Sequence, residues 1–253
     1  GPWSPKNYSG EYSGAVTLAE AFSQSLNIPA VRLSEDIGRD NVRRIATDFG
    51  LGTDLAKGPA MALGTSESTL IEMAGAYAGI LNGGLSVKPY GLQELRLLGE
   101  SEPLMGVVGG TGERVIQEKA ARKLLLIMSK TITDGTGRRA MIPGWSIAAK
   151  TGTTQAARDA WFIGFTADYV AAVWMGYDDN TPLKGVTGGG LPAEIWRETM
   201  LGIYKNEIPR PLPMIEKKAT RKPNPSTRKI DHEYKQKPIE TLLRIITDRK
   251  STN

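Results

Sequence analysis

The sequence predicts a mixed α/β fold of the α+β kind, an antiparallel sheet flanked by helices with an all-helical portion. Three observations predict it. Residues 17–133 carry apolar residues at helical spacing, broken by Gly and Asp punctuation. Residues 145–177 then change period, into short runs rich in aromatic and β-branched residues with brief turns between them. A last apolar stripe at helical spacing follows from Pro192. Helices, then a meander, then a helix point to helices packed on an antiparallel sheet.

In chain order, residues 1–14 contain Trp3-Ser4-Pro5-Lys6-Asn7-Tyr8 and are turn-rich, so they are expected to run extended over the surface. Thr17 and Glu20 form T-x-x-E, a capping box that opens a short helix through about Ser25. Pro29 suits the first position of a second helix, which ends near Gly38. Asp40 caps a third, with Val42, Ile45, Ala46 and Phe49 on one face and Gly50 as its stop. A fourth follows Ser68, with Leu70, Met73, Ala74, Tyr77, Ala78 and Leu81 on one stripe and Asn82-Gly83-Gly84 at its end. A fifth spans about 118–133 and is closed by Asp134-Gly135-Thr136-Gly137. Strands are expected at 145–150, 160–166 and 169–177. The closing helix buries Trp196, Met200, Ile203 and Tyr204.

Composition narrows the chemistry. The chain has no cysteine and one histidine, His232, which stands in a polar, Lys-rich stretch. Thiol nucleophiles, disulfide scaffolds and Cys/His zinc sites are excluded. A Ser-His-Asp triad would depend on a histidine with nothing to orient it, so a hydrolase or acyl transferase here would use lysine as its base. No metal or other cofactor is expected. The net charge of +5 is localised: residues 207–253 hold twelve Lys/Arg against six Asp/Glu, and the other 206 hold twenty against twenty-one. A near-neutral body gives no basic face for nucleic acid. The division expected is a domain over 1–206 and a basic, Pro/Lys-rich tail over 207–253, disordered because its composition builds no core. Residues 239–246 could add a short amphipathic turn, and no internal repeat occurs.

Two short motifs carry chemistry. Lys150-Thr151-Gly152-Thr153-Thr154 follows the apolar run Ile147-Ala148-Ala149, which places Lys150 at the end of a strand, facing a cleft. Gly152 lets a substrate backbone lie against the strand edge, and threonine hydroxyls beside a cation bind a carboxylate. The plain alternative is a solvated lysine beside a turn glycine. Ser25-Leu26-Asn27 lies between two helices, where a hydroxyl and an amide at i and i+2 can point into one cleft; ordinary helix punctuation is the alternative. Other candidates are weaker. Gly188-Gly189-Gly190 and Gly109-Gly110-Thr111-Gly112 lack the G-K-[ST] ending of a phosphate loop, and the first more simply allows a close approach to the last helix. Asp178-Asp179 reads as a solvated turn.

Taken together, S-x-N followed by K-T-G resembles the signature of penicillin-interacting enzymes, in which both follow a serine in S-x-x-K. The resemblance extends over Trp3-Ser4-Pro5-Lys6-Asn7-Tyr8, 17–33, 61–84, 134–139 and 159–179, roughly residues 1–204, and is to class A penicillin-binding proteins. It implies a β-lactamase/transpeptidase-like fold and D,D-transpeptidation: acyl transfer from D-Ala-D-Ala stem peptides to an amine acceptor, with β-lactams as mimics. By resemblance, Ser25 and Lys150 relay the proton to the leaving amine, Asn27 holds the donor amide, and Thr151, Gly152 and Thr153 hold the carboxylate and half the oxyanion hole. The stretch resembling PWxPxNY normally follows S-x-x-K, so the nucleophile and its lysine base are expected upstream of residue 1, with the N-terminal part of the domain. A glycosyltransferase domain and an anchor at the periplasmic face of the inner membrane are expected there too. Cell-wall synthesis proteins are possible partners. The one S-x-x-K present, Ser226-Thr227-Arg228-Lys229, stands in the tail after K-T-G and has no helix to present it. Three other readings stay open: a serine β-lactamase, which would need a deacylating base; an inert peptidoglycan-binding module; and a tail that docks on a polyanion.

Overall fold

The structure is a computed structural model that describes residues 3–52, 54–106 and 109–215. Ser226, Lys229, His232 and the 239–246 stripe lie outside the described residues. Among the described residues, six α-helices and seven strands follow in order: α1 (Leu18–Ser23), α2 (Asn27–Ile37), α3 (Arg39–Asp48), α4 (Leu70–Leu81), β1 (Leu85–Lys88), β2 (Glu94–Leu95), β3 (Met105–Gly106), β4 (Gly110–Arg114), α5 (Glu118–Thr133), β5 (Ala148–Thr153), β6 (Asp159–Phe165), β7 (Val170–Gly176) and α6 (Leu191–Ile203). Single 3-10 turns occupy Pro59–Leu63, Arg138–Ala140 and Gln155–Ala157.

The central sheet runs β5-β6-β7, antiparallel throughout. Strand alternation gives it two apolar faces. Ala149 and Phe162 join Trp196 and Met200 of α6 on one face. Ala148 and Phe165 join Leu81 of α4 and Leu125 and Met128 of α5 on the other. The sheet is therefore the middle of three layers, as the order of patterns predicted. Trp196 stitches α6 down, its indole N–H shared between the Gly164 and Ala171 carbonyls.

Several boundaries differ from the sequence expectation. Lys150 was expected to end its strand, but pairing with β6 continues through Thr153 opposite Ala160, which puts K-T-G inside β5. Helix α1 stops at Ser23, and α2 begins at Asn27 with Pro29 in its first turn. Gly38, not Asp40, is the cap of α3, and Asp40 sits in its first turn. Helix α4 is capped by Thr69, whose hydroxyl accepts from the Glu72 N–H while the Glu72 carboxylate accepts from the Thr69 N–H. Its buried face is Gly75, Ala76, Gly79 and Leu81, and Leu70 from the expected stripe is 41% exposed. Small residues are needed because β1 and α3 come too close for anything larger. The body also runs past Asn206: Leu212 is 3% exposed in the α4/α5 core, with Met214 and Ile215 packed beside it. Leu212, Met214 and Ile215 supply apolar anchors that the Pro/Lys character of the whole tail obscured.

A methyl group at Gly79 would stand 2.5 Å from the Leu85 carbonyl oxygen and 2.8 Å from the Phe49 ring. Gly79→Ala should therefore destabilise the chain by about 1–3 kcal/mol, the usual cost of overpacking, despite alanine's better helix propensity. An unchanged urea midpoint would show that α4 has slack there. Leu212→Ala should cost about 2–5 kcal/mol as a core truncation; a near-neutral result would return the boundary to Asn206.

Candidate active site

Lys150 lies on the α5 face of β5, the same face as Ala148. Its Nζ donates to Ser25 Oγ at 2.7 Å and to the Thr151 carbonyl at 2.7 Å, and stands 5.7 Å from the centre of the Phe22 ring. Burial pushes the Lys150 amine down from 10.5 to about 8, because removing water penalises the charged form. Ser25 and Lys150, which are 125 residues apart, thus meet directly.

Ser25 reaches this position through the end of α1. Its N–H bonds the Phe22 carbonyl and the Leu26 N–H bonds the Ala21 carbonyl, the two bonds of a Schellman motif. The left-handed residue of that motif is usually glycine. Here it is Ser25, with φ 54°. A side chain in that region costs on the order of 1–2 kcal/mol, and such strain held in place by its surroundings often marks a functional residue.

Asn27 does not join this contact. It is the first residue of α2, and its Nδ2 donates to the Lys6 carbonyl at 2.8 Å. Beside it is a residue that sequence reasoning missed. Asn7, 8% exposed, accepts the Ile28 N–H on Oδ1 and donates from Nδ2 to the Glu11 carbonyl. It caps α2 from 21 residues away. An asparagine among prolines with no local helix to cap was the available signal. The N-terminal segment is thereby pinned to the loop that carries Ser25.

Thr151 and Thr153 point to the α6 face, opposite Lys150. Thr151 is 7% exposed, and its hydroxyl shares a 2.6 Å hydrogen bond with the Thr136 hydroxyl. Thr153 is half-buried, and its hydroxyl accepts the Gly188 N–H at 3.0 Å. Gly152 pairs with Trp161. The K-T-G segment thus presents an ammonium on one face and two hydroxyls on the other. Between them, β5 forms an edge of the sheet among the described residues. An edge strand offers backbone N–H and C=O groups to an extended peptide.

The remaining candidates resolve simply. Asp179 accepts the Thr181 N–H in a turn. Gly110 and Gly112 lie in β4, paired with β1. Gly188 and Gly189 approach β5 and Thr136 more closely than they approach α6. Among the described residues, no helix is long and apolar enough to cross a membrane.

The family model described as "Penicillin binding protein transpeptidase domain" matches residues 1–201. Penicillin-binding protein 1A of Neisseria lactamica is 35% identical over 206 residues, which is 78% of this chain and 26% of that protein. Penicillin-binding protein 1A of Rickettsia prowazekii is 31% identical over 227 residues, 81% of this chain and 29% of that protein. The chain therefore spans between a quarter and a third of these relatives. Among solved structures, penicillin-binding protein 1A from Haemophilus influenzae aligns with a TM-score of 0.73 at 27% identity, over 83% of this chain and 37% of that one. PonA1 from Mycobacterium tuberculosis in complex with penicillin V aligns at 0.69 and 26%, over 82% and 61%. With a family match across four-fifths of its length, and Ser25 and Lys150 in contact, the chain belongs to the transpeptidase-domain family of penicillin-binding proteins, with 1A proteins as its relatives.

Proposed function

We propose that this chain supplies the proton relay and the binding strand of a serine D,D-transpeptidase that cross-links peptidoglycan. The observation that carries the reading is the 2.7 Å bond from Lys150 Nζ to Ser25 Oγ. The serine nucleophile and its lysine base would come from polypeptide outside these 253 residues. So would a glycosyltransferase domain and an anchor holding the enzyme at the periplasmic face of the inner membrane.

In the reaction, the nucleophile's oxygen attacks the carbonyl of the penultimate D-Ala. The C–N bond to the terminal D-Ala then breaks, leaving an ester on the enzyme. The departing nitrogen needs a proton. The Lys150 ammonium already donates to Ser25 Oγ, so Ser25 can pass its own hydrogen to that nitrogen while accepting one from Lys150. An amine from a neighbouring stem peptide then attacks the ester and restores the serine. The edge of β5 holds the donor peptide, with Gly152 opening the approach. The backbone N–H of Thr153 supplies one oxyanion donor. Thr153 is better placed than Thr151 to hold the terminal carboxylate, since Thr151's hydroxyl is occupied by Thr136. Asn27 would have to leave the Lys6 carbonyl to bind the donor amide. β-Lactams would acylate the same serine; penicillin V bound to a structural neighbour supports that reading.

In the full-length protein, Lys150→Ala should slow acylation by a fluorescent penicillin by about 10²–10³, as loss of one preorganised donor does elsewhere. The 253-residue chain alone should not label. A label traced to a serine within residues 1–253 would overturn the assignment.

The pH dependence has a definite sign. The relay uses the ammonium form, and Lys150 loses its proton near pH 8 because burial has lowered it from 10.5. Its contacts are the Ser25 hydroxyl, the Thr151 carbonyl and the Phe22 ring. The acylation rate of the full-length protein should fall as pH rises through about 8. An alkaline limb only near the ordinary lysine value would contradict a desolvated relay.

A further inference from the structure

The Ser25 loop and β5 do not reach each other through Lys150 alone. The loop after α5 touches both. The Thr136 N–H donates to the Ser23 carbonyl at 3.1 Å, and the Gln24 side chain donates to the Asp134 carbonyl at 2.8 Å. These two bonds fasten the loop to the last residues of α1, immediately before Ser25. From the same residue, Thr136 Oγ1 meets Thr151 Oγ1 at 2.6 Å. Thr136 is therefore bonded through its backbone to the segment carrying Ser25, and through its side chain to the residue after Lys150.

The fit around this loop leaves little room for adjustment. A methyl group at Gly135 would collide with the Ser23 carbonyl and stand 2.8 Å from the Thr131 Cα. One at Gly189 would collide with the Thr136 carbonyl. One at Gly188 would collide with the carbonyl oxygens of Gly152 and Trp161, a directly paired couple in β5 and β6. Backbone thus lies on backbone behind K-T-G. The Gly188 N–H also engages Thr153 Oγ1 as acceptor, which leaves that hydroxyl's own hydrogen for a different partner.

We propose that Thr136 is a positioning residue of the site: its hydroxyl bond to Thr151, braced by Gly188 and Gly189, holds β5 in register with the Ser25 loop and so sets the Lys150 to Ser25 distance. This rests on the reading of Ser25 and Lys150 as the proton relay. A relay depends steeply on distance, and a displacement of about 1 Å from a remote change can cost about 10²-fold in rate. Thr136 ties both segments, so loosening its bond to Thr151 lets β5 and the Ser25 loop part, which would admit water on the Lys150 side.

The test uses the full-length protein with four variants, following penicillin acylation, its pH profile and thermal stability. Thr136→Val keeps the shape and removes the hydroxyl. It should slow acylation by about 10–100-fold and move the alkaline limb upward, from about 8 toward the ordinary lysine value. It also leaves the Thr151 hydroxyl buried and unpaired, which lowers stability for a purely structural reason. The double variant Thr136→Val/Thr151→Val removes both partners and should recover most of that stability while acylation stays slow and the limb stays displaced. Thr136→Ser retains the hydroxyl and should restore both rate and limb. The inference is overturned if the double variant acylates at the wild-type rate with an unmoved limb, or if Thr136→Ser is as slow as Thr136→Val. Lys150→Ala separates the two levels: if it too acylates normally, the relay itself is wrong, whereas a dead Lys150→Ala beside a normal double variant removes only the role of Thr136.

Discussion

A partly desolvated ammonium is the constraint around which the site is organised. Lys150 lies on an apolar face of the sheet, beside Ala148, where a cation without partners would be strongly disfavoured. Its compensation comes from the Ser25 hydroxyl, the Thr151 carbonyl and the face of Phe22. They come from two parts of the chain. The Thr151 carbonyl is fixed by β5 itself. Phe22 and Ser25 belong to the end of α1, and Ser25 reaches Nζ only because the left-handed position of the helix-terminating motif carries a side chain. Glycine there would relax the backbone and remove the acceptor. The strained Ser25 thus supplies an acceptor to an ammonium that burial disfavours.

Around that contact the layers meet closely. Apolar side chains fill both faces of the sheet, but behind K-T-G the layers are joined by backbone. Gly188 lies over the Gly152/Trp161 pair, where Gly152 has no side chain and that of Trp161 points to the other face. Gly135 and Gly189 bring the α5 loop onto α1 and the 188–190 segment by the same device. Side-chain contacts can hop between rotamers, whereas apposed backbones cannot, so geometry here is held by the stiffest part of the chain. The N-terminal segment adds to it. Asn7 caps α2, and Asn27 bonds the Lys6 carbonyl, so the loop bearing Ser25 is held on its α2 side.

Much of this was legible from residue order, and the failures have physical causes. Helix α5 was read at its observed bounds because its apolar period is sustained over four turns and Glu118 and Asp134 mark its ends. Ser25 and Lys150 were found as motif members, and their contact follows from packing α1 and α5 on one face of β5. Strands β1 and β4 were missed. Gly110-Thr111-Gly112-Glu113-Arg114 is exposed along its whole length and shows no alternation, so pairing with β1 is its only reason to be extended. The buried face of α4 was read only in part: Tyr77 and Leu81 pack into the core, but Gly75 and Gly79 make its closest contacts, and a hydropathy stripe cannot register an absent side chain. The extent of β5 was misjudged for a related reason. Gly and Thr look like a strand's end when read locally, but six consecutive pairs with β6 carry the strand through them.

The alternation of β5 also constrains how any ligand must lie. Lys150 serves one face and Thr153 the other, so a peptide cannot rest on either face and reach both groups. On the proposed reading it would approach along the edge that β5 forms among the described residues, where an edge strand offers its own N–H and C=O groups. Gly152, between the two, is the position where an added side chain would stand on the Lys150 side, 3.3 Å from the Trp161 Cβ. An edge-bound peptide would then have the ammonium to one side of its reacting carbonyl and the Thr153 hydroxyl to the other. On the proposed reading, proton delivery from Lys150 and carboxylate recognition by Thr153 would be separated by the thickness of one strand. Such a separation would let a single short motif do both without placing a substrate's anion directly on Lys150, where a carboxylate would raise the amine above the value that burial sets.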